Sequence, residues 1–192
     1  ETIVAVYALN KIGAAANTVD PRMDVGSIKR MMQGAGSKVL LVLDVAFSKL
    51  LPSLEELNPE IVIVQSAAGA LPVLKRLVKA SSVKTKVPYG DKIIRWSDFL
   101  KKGKSFTAKE APYVGDALVA ITYTGGTTGR PKGVMMTNDS MNAVSMNFIY
   151  SSLFREDGDR FLGIIPIFSA YGMVCGMHMP LCMRITLVPI PR

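Results

Sequence analysis

Residues 123–134 read Tyr-Thr-Gly-Gly-Thr-Thr-Gly-Arg-Pro-Lys-Gly-Val, directly after an apolar run, Ala117-Leu-Val-Ala-Ile121, that reads as a buried strand. Four of the twelve residues are Gly and three are Thr, and Lys132 stands beside Pro131. Glycines let backbone amides approach an anion closely. Threonine hydroxyls add donors and the lysine adds a mobile positive charge. A strand that empties into such a loop is suited to wrapping a polyphosphate. The loop is not the Walker A pattern, which needs Gly before the Lys and Ser or Thr after it. Nor is it the dinucleotide fingerprint, because no Gly-x-Gly-x-x-Gly runs between Gly125 and Gly133. A plain Gly/Thr-rich hairpin is the bland alternative, and it would not need three hydroxyls, a Pro and a Lys in that order.

Outward from the loop, short apolar runs alternate with helical spacing. Upstream, Ile3, Val6, Tyr7 and Leu9 have helical spacing closed by Gly13, and Ala14–Val19 is a strand candidate ended by Asp20-Pro21. Asp24–Ala35 reads as a helix with Ile28, Met31 and Met32 inward. Val39–Leu43 and Ile61–Val64 read as buried strands, separated by a helix at 46–57 that Pro52 interrupts. Leu71–Ala80 reads as a basic amphipathic helix, 81–93 as loop, and Ser97 as the cap of a short helix through Lys101. Downstream, a short strand at Gly133–Met136 leads to a helix capped by Thr137 or Asn138 and running to about Phe154. A strand at 161–165, a helix at 168–182 and a strand at 185–188 complete the chain. This alternation predicts an α/β architecture with a mostly parallel sheet flanked by helices. In such folds ligands sit beyond the carboxyl ends of strands, where this loop lies.

Composition narrows the classes. The chain has 192 residues, 49% hydrophobic and 20% charged, enough for one domain with a sizeable core. Cys175 and Cys182, about 10 Å apart along a helix axis, read as reduced core residues of an intracellular protein. With one histidine and no Cys-x-x-Cys, no metal-ligand cluster is legible. The start, Glu1-Thr-Ile-Val, has no basic secretory leader and no initiator Met, and reads as an excised or processed start. The expected location is cytoplasmic, with peripheral membrane contact left open.

Net charge is +8, and residues 75–109 hold eleven basic residues against Asp91 and Asp98. A solvated face is the plain reading of this segment. The alternative class is a basic module that grips nucleic acid or an anionic membrane, although the segment has little of the aromatic interleaving that stacks bases. Residues 161–183 carry no formal charge, but Pro166 divides them, so a strand and a core helix fit better than a membrane span. His178 reads as a packed helix residue, since no nucleophile pattern accompanies it.

The string from Tyr123 to Val134 resembles the phosphate signature of the acyl-adenylate-forming (AMP-binding) superfamily, which includes acyl-CoA synthetases, peptide-synthetase adenylation domains and luciferases. Its Gly-Gly at 125–126 is most similar to fatty-acyl-CoA synthetases. Tyr7-Ala-Leu-Asn-Lys-Ile-Gly13 with Asp20-Pro21, and Trp96-Ser-Asp-Phe99, look like upstream segments of the same family. The resemblance implies ATP and CoA as co-substrates, Mg²⁺ and a small-molecule carboxylate. Thr124, Gly125, Gly126, Thr127, Thr128 and Gly129 would wrap the β- and γ-phosphates, and Thr127 would also contact Mg²⁺. Lys132 would act catalytically by helping pyrophosphate leave.

Ile165-Pro-Ile-Phe-Ser-Ala-Tyr-Gly172 resembles the family's next motif, with Ser169 where many members have His; Phe168 and Tyr171 would line the acyl pocket or serve as core aromatics. The downstream Tyr-Gly-x-Thr-Glu motif, the ribose-binding Asp and the C-terminal domain with its catalytic Lys are not among these residues. Residues 1–192 are therefore expected to be a fragment of the large N-terminal domain, inactive alone. Adenylation of an amino or aryl acid is the nearest alternative.

Overall fold

The computed structural model describes residues 1–67, 86–107, 109–125, 131–151 and 158–190. The chain forms two compact units: residues 1–20 with 108–192, and residues 21–107. The basic helix expected at 71–80 lies outside the described residues.

In the first unit, α1 (Thr2–Lys11) buries Val6 and ends at Gly13, whose φ of +75° is a conformation that Gly adopts without strain. β1 (Ala16–Asn17) pairs in parallel with β5 (Leu118–Thr124). On its other edge β5 pairs antiparallel with β6 (Lys132–Thr137), from Thr124↔Lys132 to Leu118↔Thr137. The phosphate-like loop therefore closes a hairpin.

α6 (Asn138–Tyr150) starts at a capping box in which Thr137 Oγ1 accepts from Ser140 N–H, and runs to Tyr150. β7 (Arg160–Gly163) and β8 (Thr186–Pro189) pair in parallel. Between them run α7 (Ala170–Met173), a π segment (Val174–His178) and α8 (Met179–Cys182). Pro180 has no N–H to bond the carbonyl four residues back, and the helix widens just before it. The core of this unit joins Val6, Ala16, Val119, Ala120, Met136, Met141, Met173, Val174, Cys175 and Met177.

The second unit is a three-stranded parallel sheet in the order β2 (Val39–Leu43), β3 (Ile61–Gln65), β4 (Ile93–Arg95). α2 (Val25–Gly34) buries Ile28, Met31 and Met32 at i, i+3 and i+4 and is capped by Asp24, whose carboxylate accepts from Ser27 N–H. α3 (Asp44–Leu50) breaks at Pro52 into a 3₁₀ turn (Leu51–Ser53) and α4 (Leu54–Leu57). α5 (Trp96–Gly103) follows β4.

The α/β architecture with parallel pairings and flanking helices is therefore present, and β6 departs from it. Other expectations need correction. Val39 and Leu43, the first and last residues of β2, remain 54% and 38% exposed rather than buried, as does Ile61 at the start of β3. Ile93 opens a strand rather than ending a loop. Ser97 caps nothing: the helix begins at Trp96, and its N-cap position is Arg95. Cys182 is exposed, because its position falls at the surface end of α8, while Cys175 is buried as expected. Among the described residues no helix is long and apolar enough to cross a membrane.

Candidate functional site

The hairpin extends past its own core. Ala120, Thr122 and Met136 are buried, whereas Thr124, Gly125 and Lys132 are exposed. Thr124 and Lys132 are direct cross-strand partners, so both side chains stand on one face of the ribbon, just beyond the apolar layer. Thr122 sits one step inward on that face and donates its hydroxyl to the Met136 sulfur at 3.7 Å. Across from Gly133, Tyr123 packs its ring over the missing side chain, and a Cβ there would lie 3.4 Å from Cε1. Burial raises the Tyr123 phenol, against a smaller opposing effect from its hydrogen bond with Asn17. The base of the loop is thus a paired ladder.

Among the described residues Lys132 faces no carboxylate, and a Cβ on Gly125 would meet open space. A free ammonium beside a hydroxyl and an unobstructed glycine backbone suits a multiply charged anion. The structure brings together Thr124, Gly125 and Lys132. Gly126, Thr127, Thr128 and Gly129 lie outside the described residues, and with them the expected Mg²⁺ contact. Among the described residues no group of three His, Cys, Asp or Glu side chains could hold a metal.

Ser169 has a structural task. Its Oγ accepts from Gly172 N–H at 3.1 Å and donates to the Pro166 carbonyl at 2.8 Å, capping α7 and tying it to the preceding turn. Phe168 is half-buried, and its carbonyl accepts from the Thr18 hydroxyl. Tyr171 is 60% exposed.

A polar network that sequence reasoning missed crosses the first unit. Asn142 donates through Nδ2 to the Tyr113 hydroxyl at 3.1 Å, and Tyr113 donates to Asp139 Oδ1 at 2.7 Å. Asn142 Oδ1 can only accept, so His178 Nε2, 3.0 Å away, carries the proton. His178 Nδ1 then accepts from the Tyr7 hydroxyl at 2.8 Å. Cys182 Sγ lies 3.5 Å from the same Nε2. Burial pushes the Tyr7 phenol up to about 12, with Cys182 adding to it, and pushes the His178 imidazole down. The hydrogen bond to Asp139 raises the Tyr113 phenol.

The donors therefore run one way, from Tyr7 to the Asp139 carboxylate. A cavity of about 30 Å³ beside Tyr7, Asn10, Asn142 and His178 has room for a water and far too little for a nucleotide. The i, i+4 spacing of His178 and Cys182 and the i, i+3 spacing of Asp139 and Asn142 are local signals within this network.

Comparison with known proteins places the chain in a family and a fold. The chain is 25% identical over its whole length to the long-chain-fatty-acid–CoA ligase of Bacillus subtilis, of which it covers 35%. Among solved structures, the anthranilate CoA ligase AuaEII superposes on 98% of the chain with a TM-score of 0.78 at 16% identity, and 32% of that protein is covered. The ATP-bound MatB of Rhodopseudomonas palustris superposes on 99% with a TM-score of 0.69 at 17% identity, again over 32% of its own length. The chain thus spans about a third of these relatives. The family model described as AMP-binding enzyme matches all of residues 1–192, loop and flanking units alike, and the chain belongs to that family.

Proposed function

We propose that this chain supplies the phosphate-gripping part of an ATP-dependent carboxylate–CoA ligase. The observation that carries this reading is the exposed Thr124–Lys132 pair at the mouth of the Gly/Thr loop, with Lys132 facing no carboxylate among the described residues. Membership of the AMP-binding enzyme family supports it.

In the first step a carboxylate oxygen attacks the α-phosphorus of ATP. The bond to the bridging oxygen breaks, its electron pair leaves with pyrophosphate, and acyl-adenylate remains. In the second step the CoA sulfur attacks the acyl carbon, AMP departs with the acyl–oxygen electron pair, and the thiol proton is lost to solvent. Lys132 would hold the β- and γ-phosphates and offset the negative charge that grows on pyrophosphate as it leaves. Thr124, Gly125, Gly126, Thr127, Thr128 and Gly129 would surround those phosphates with hydroxyl and amide donors. Mg²⁺ would add charge compensation beside Thr127.

For the acid we favour a long-chain fatty acyl group, with Phe168 and Tyr171 beside its path; the Bacillus ligase supports this choice. An aryl acid is the competing substrate class. The 192-residue chain is expected to bind phosphates without turning over.

Isothermal titration of pyrophosphate and ATP into the chain tests the reading. One charge-assisted contact is worth about 1.5–3 kcal/mol, so Lys132→Ala should bind about 10- to 100-fold more weakly. Equal affinity for the variant would remove Lys132 from the site. Carboxylate-dependent ATP–pyrophosphate exchange, run with palmitate and with anthranilate, should be absent for the chain alone. Exchange with either acid would show a complete site and identify its acid class.

A further inference from the structure

We propose that residues 92–106 form a docking surface for an anionic lipid bilayer. In α5, Trp96, Phe99 and Leu100 recur at i, i+3 and i+4 and share one stripe. The second unit covers that stripe only in part: no residue of α5 is buried, and Phe99 and Leu100 are 42% and 49% exposed. Phe106, just past the helix, is 75% exposed. Trp96 and Phe99 hold their rings 5.9 Å apart, so the apolar patch is organised rather than scattered.

The same segment carries Lys92, Arg95, Lys101, Lys102 and Lys104, all exposed, with Asp98 its one acid; Arg95 also lies over the Tyr89 ring. Asp98 is engaged internally, 3.3 Å from Lys101 and 3.9 Å from Arg95. Among the described residues Lys92, Lys102 and Lys104 face no carboxylate.

An exposed apolar stripe bordered by unpaired lysines matches a charged bilayer surface. Aromatic and leucine side chains enter the headgroup–acyl boundary while ammonium groups stay with the phosphates. A single-stranded nucleic acid would stack bases on open ring faces, but Trp96 and Phe99 are tilted 34° toward each other with centroids 5.9 Å apart, and the segment has no further aromatic interleaved with its lysines until Phe106.

The test uses the 192-residue chain and vesicles of phosphatidylcholine with and without phosphatidylserine. Trp96 is the only tryptophan, so its emission reports this segment directly. The expected result is co-sedimentation with the anionic vesicles alone, weakened by salt, with a blue shift of Trp96. Each lysine contributes roughly a factor of five, so Lys92→Gln/Lys102→Gln/Lys104→Gln together should bind about a hundredfold more weakly. Phe99→Ser/Phe106→Ser should keep the salt-sensitive attraction and lose the blue shift. The proposal is overturned if anionic vesicles do not bind, if neutral vesicles bind equally, or if the triple variant binds like the parent. It is also overturned if a single-stranded RNA shifts Trp96 and vesicles do not.

Discussion

Gly172 and Gly34 show how one residue type can carry opposite meanings. Gly172 lies in α7 directly over the turn at Pro166, and a Cβ there would overlap the Pro166 carbonyl carbon and oxygen. That neighbour is backbone, held by Ser169 N–H and Ser169 Oγ, so it cannot move aside cheaply. Gly34 ends α2 with open space for 4 Å around the place a Cβ would take, and it has no positive φ. Gly172→Ala should therefore destabilise the first unit by about 1–3 kcal/mol, the usual cost of overpacking. Gly34→Ala should stabilise the second by about 0.4–1 kcal/mol, since alanine restricts the unfolded chain and suits a helix better. Urea unfolding followed by circular dichroism would read both. If Gly172→Ala left the first unit as stable as the parent, the packing account of Gly172 would fail; if Gly34→Ala destabilised, the open-space account of Gly34 would fail.

At the scale of elements, the chain uses caps to hold its functional joints. Thr137 ends β6 and starts α6, so the strand that bears Lys132 passes without a linker into a capped helix. Ser169 caps α7, its hydroxyl accepting from Gly172 N–H and donating to the Pro166 carbonyl. Ser169→Ala should cost about 1 kcal/mol of stability, and Ser169→Thr should retain most of the cap. Equal losses for Ala and Thr would show that the hydroxyl bonds contribute little.

The strands at 117–123 and 133–136 were legible as apolar runs, but the runs alone do not carry the direction of the second. Loop length does. Only seven residues separate Thr124 from Lys132, and parallel neighbours need a crossover of about a dozen or more. The exposure of Val39 has a different cause, because an apolar run does not tell which of its end residues the flanking elements leave uncovered.

At the scale of the whole molecule, the first unit is built from residues far apart in the chain, which is why its polar network could not be read from the sequence. Tyr7 and His178 are 171 positions apart, and neither carries a local pattern that points to the other. The phosphate loop, by contrast, was legible because its chemistry is contiguous from Tyr123 to Val134. The Tyr7–His178 bond links α1 to the last helical segment, and Asn142 links both to α6, so its titration should be felt as global stability.

The folded pKa of His178 lies below its ordinary 6.5 because burial penalises the imidazolium. The unfolded chain therefore takes up that proton first as pH falls. This group's contribution is complete above pH 6.5 and declines as pH drops from there to the folded value. Tyr7 acts at the other end: its phenol is raised from 10.0 to about 12, so the unfolded chain ionises first and stability declines as pH rises through that interval.

Urea unfolding across pH should therefore show losses on both flanks. His178→Gln should flatten the acid flank while costing about 1–3 kcal/mol at neutral pH, because the Tyr7 and Asn142 groups lose their partner. Tyr7→Phe should make the alkaline flank shallower, the raised Tyr113 and Tyr123 phenols keeping part of it, and leave the acid one in place. If His178→Gln kept the parent's slope below pH 6.5, the acid loss would belong to carboxylates elsewhere, and the imidazole would be a packed bystander.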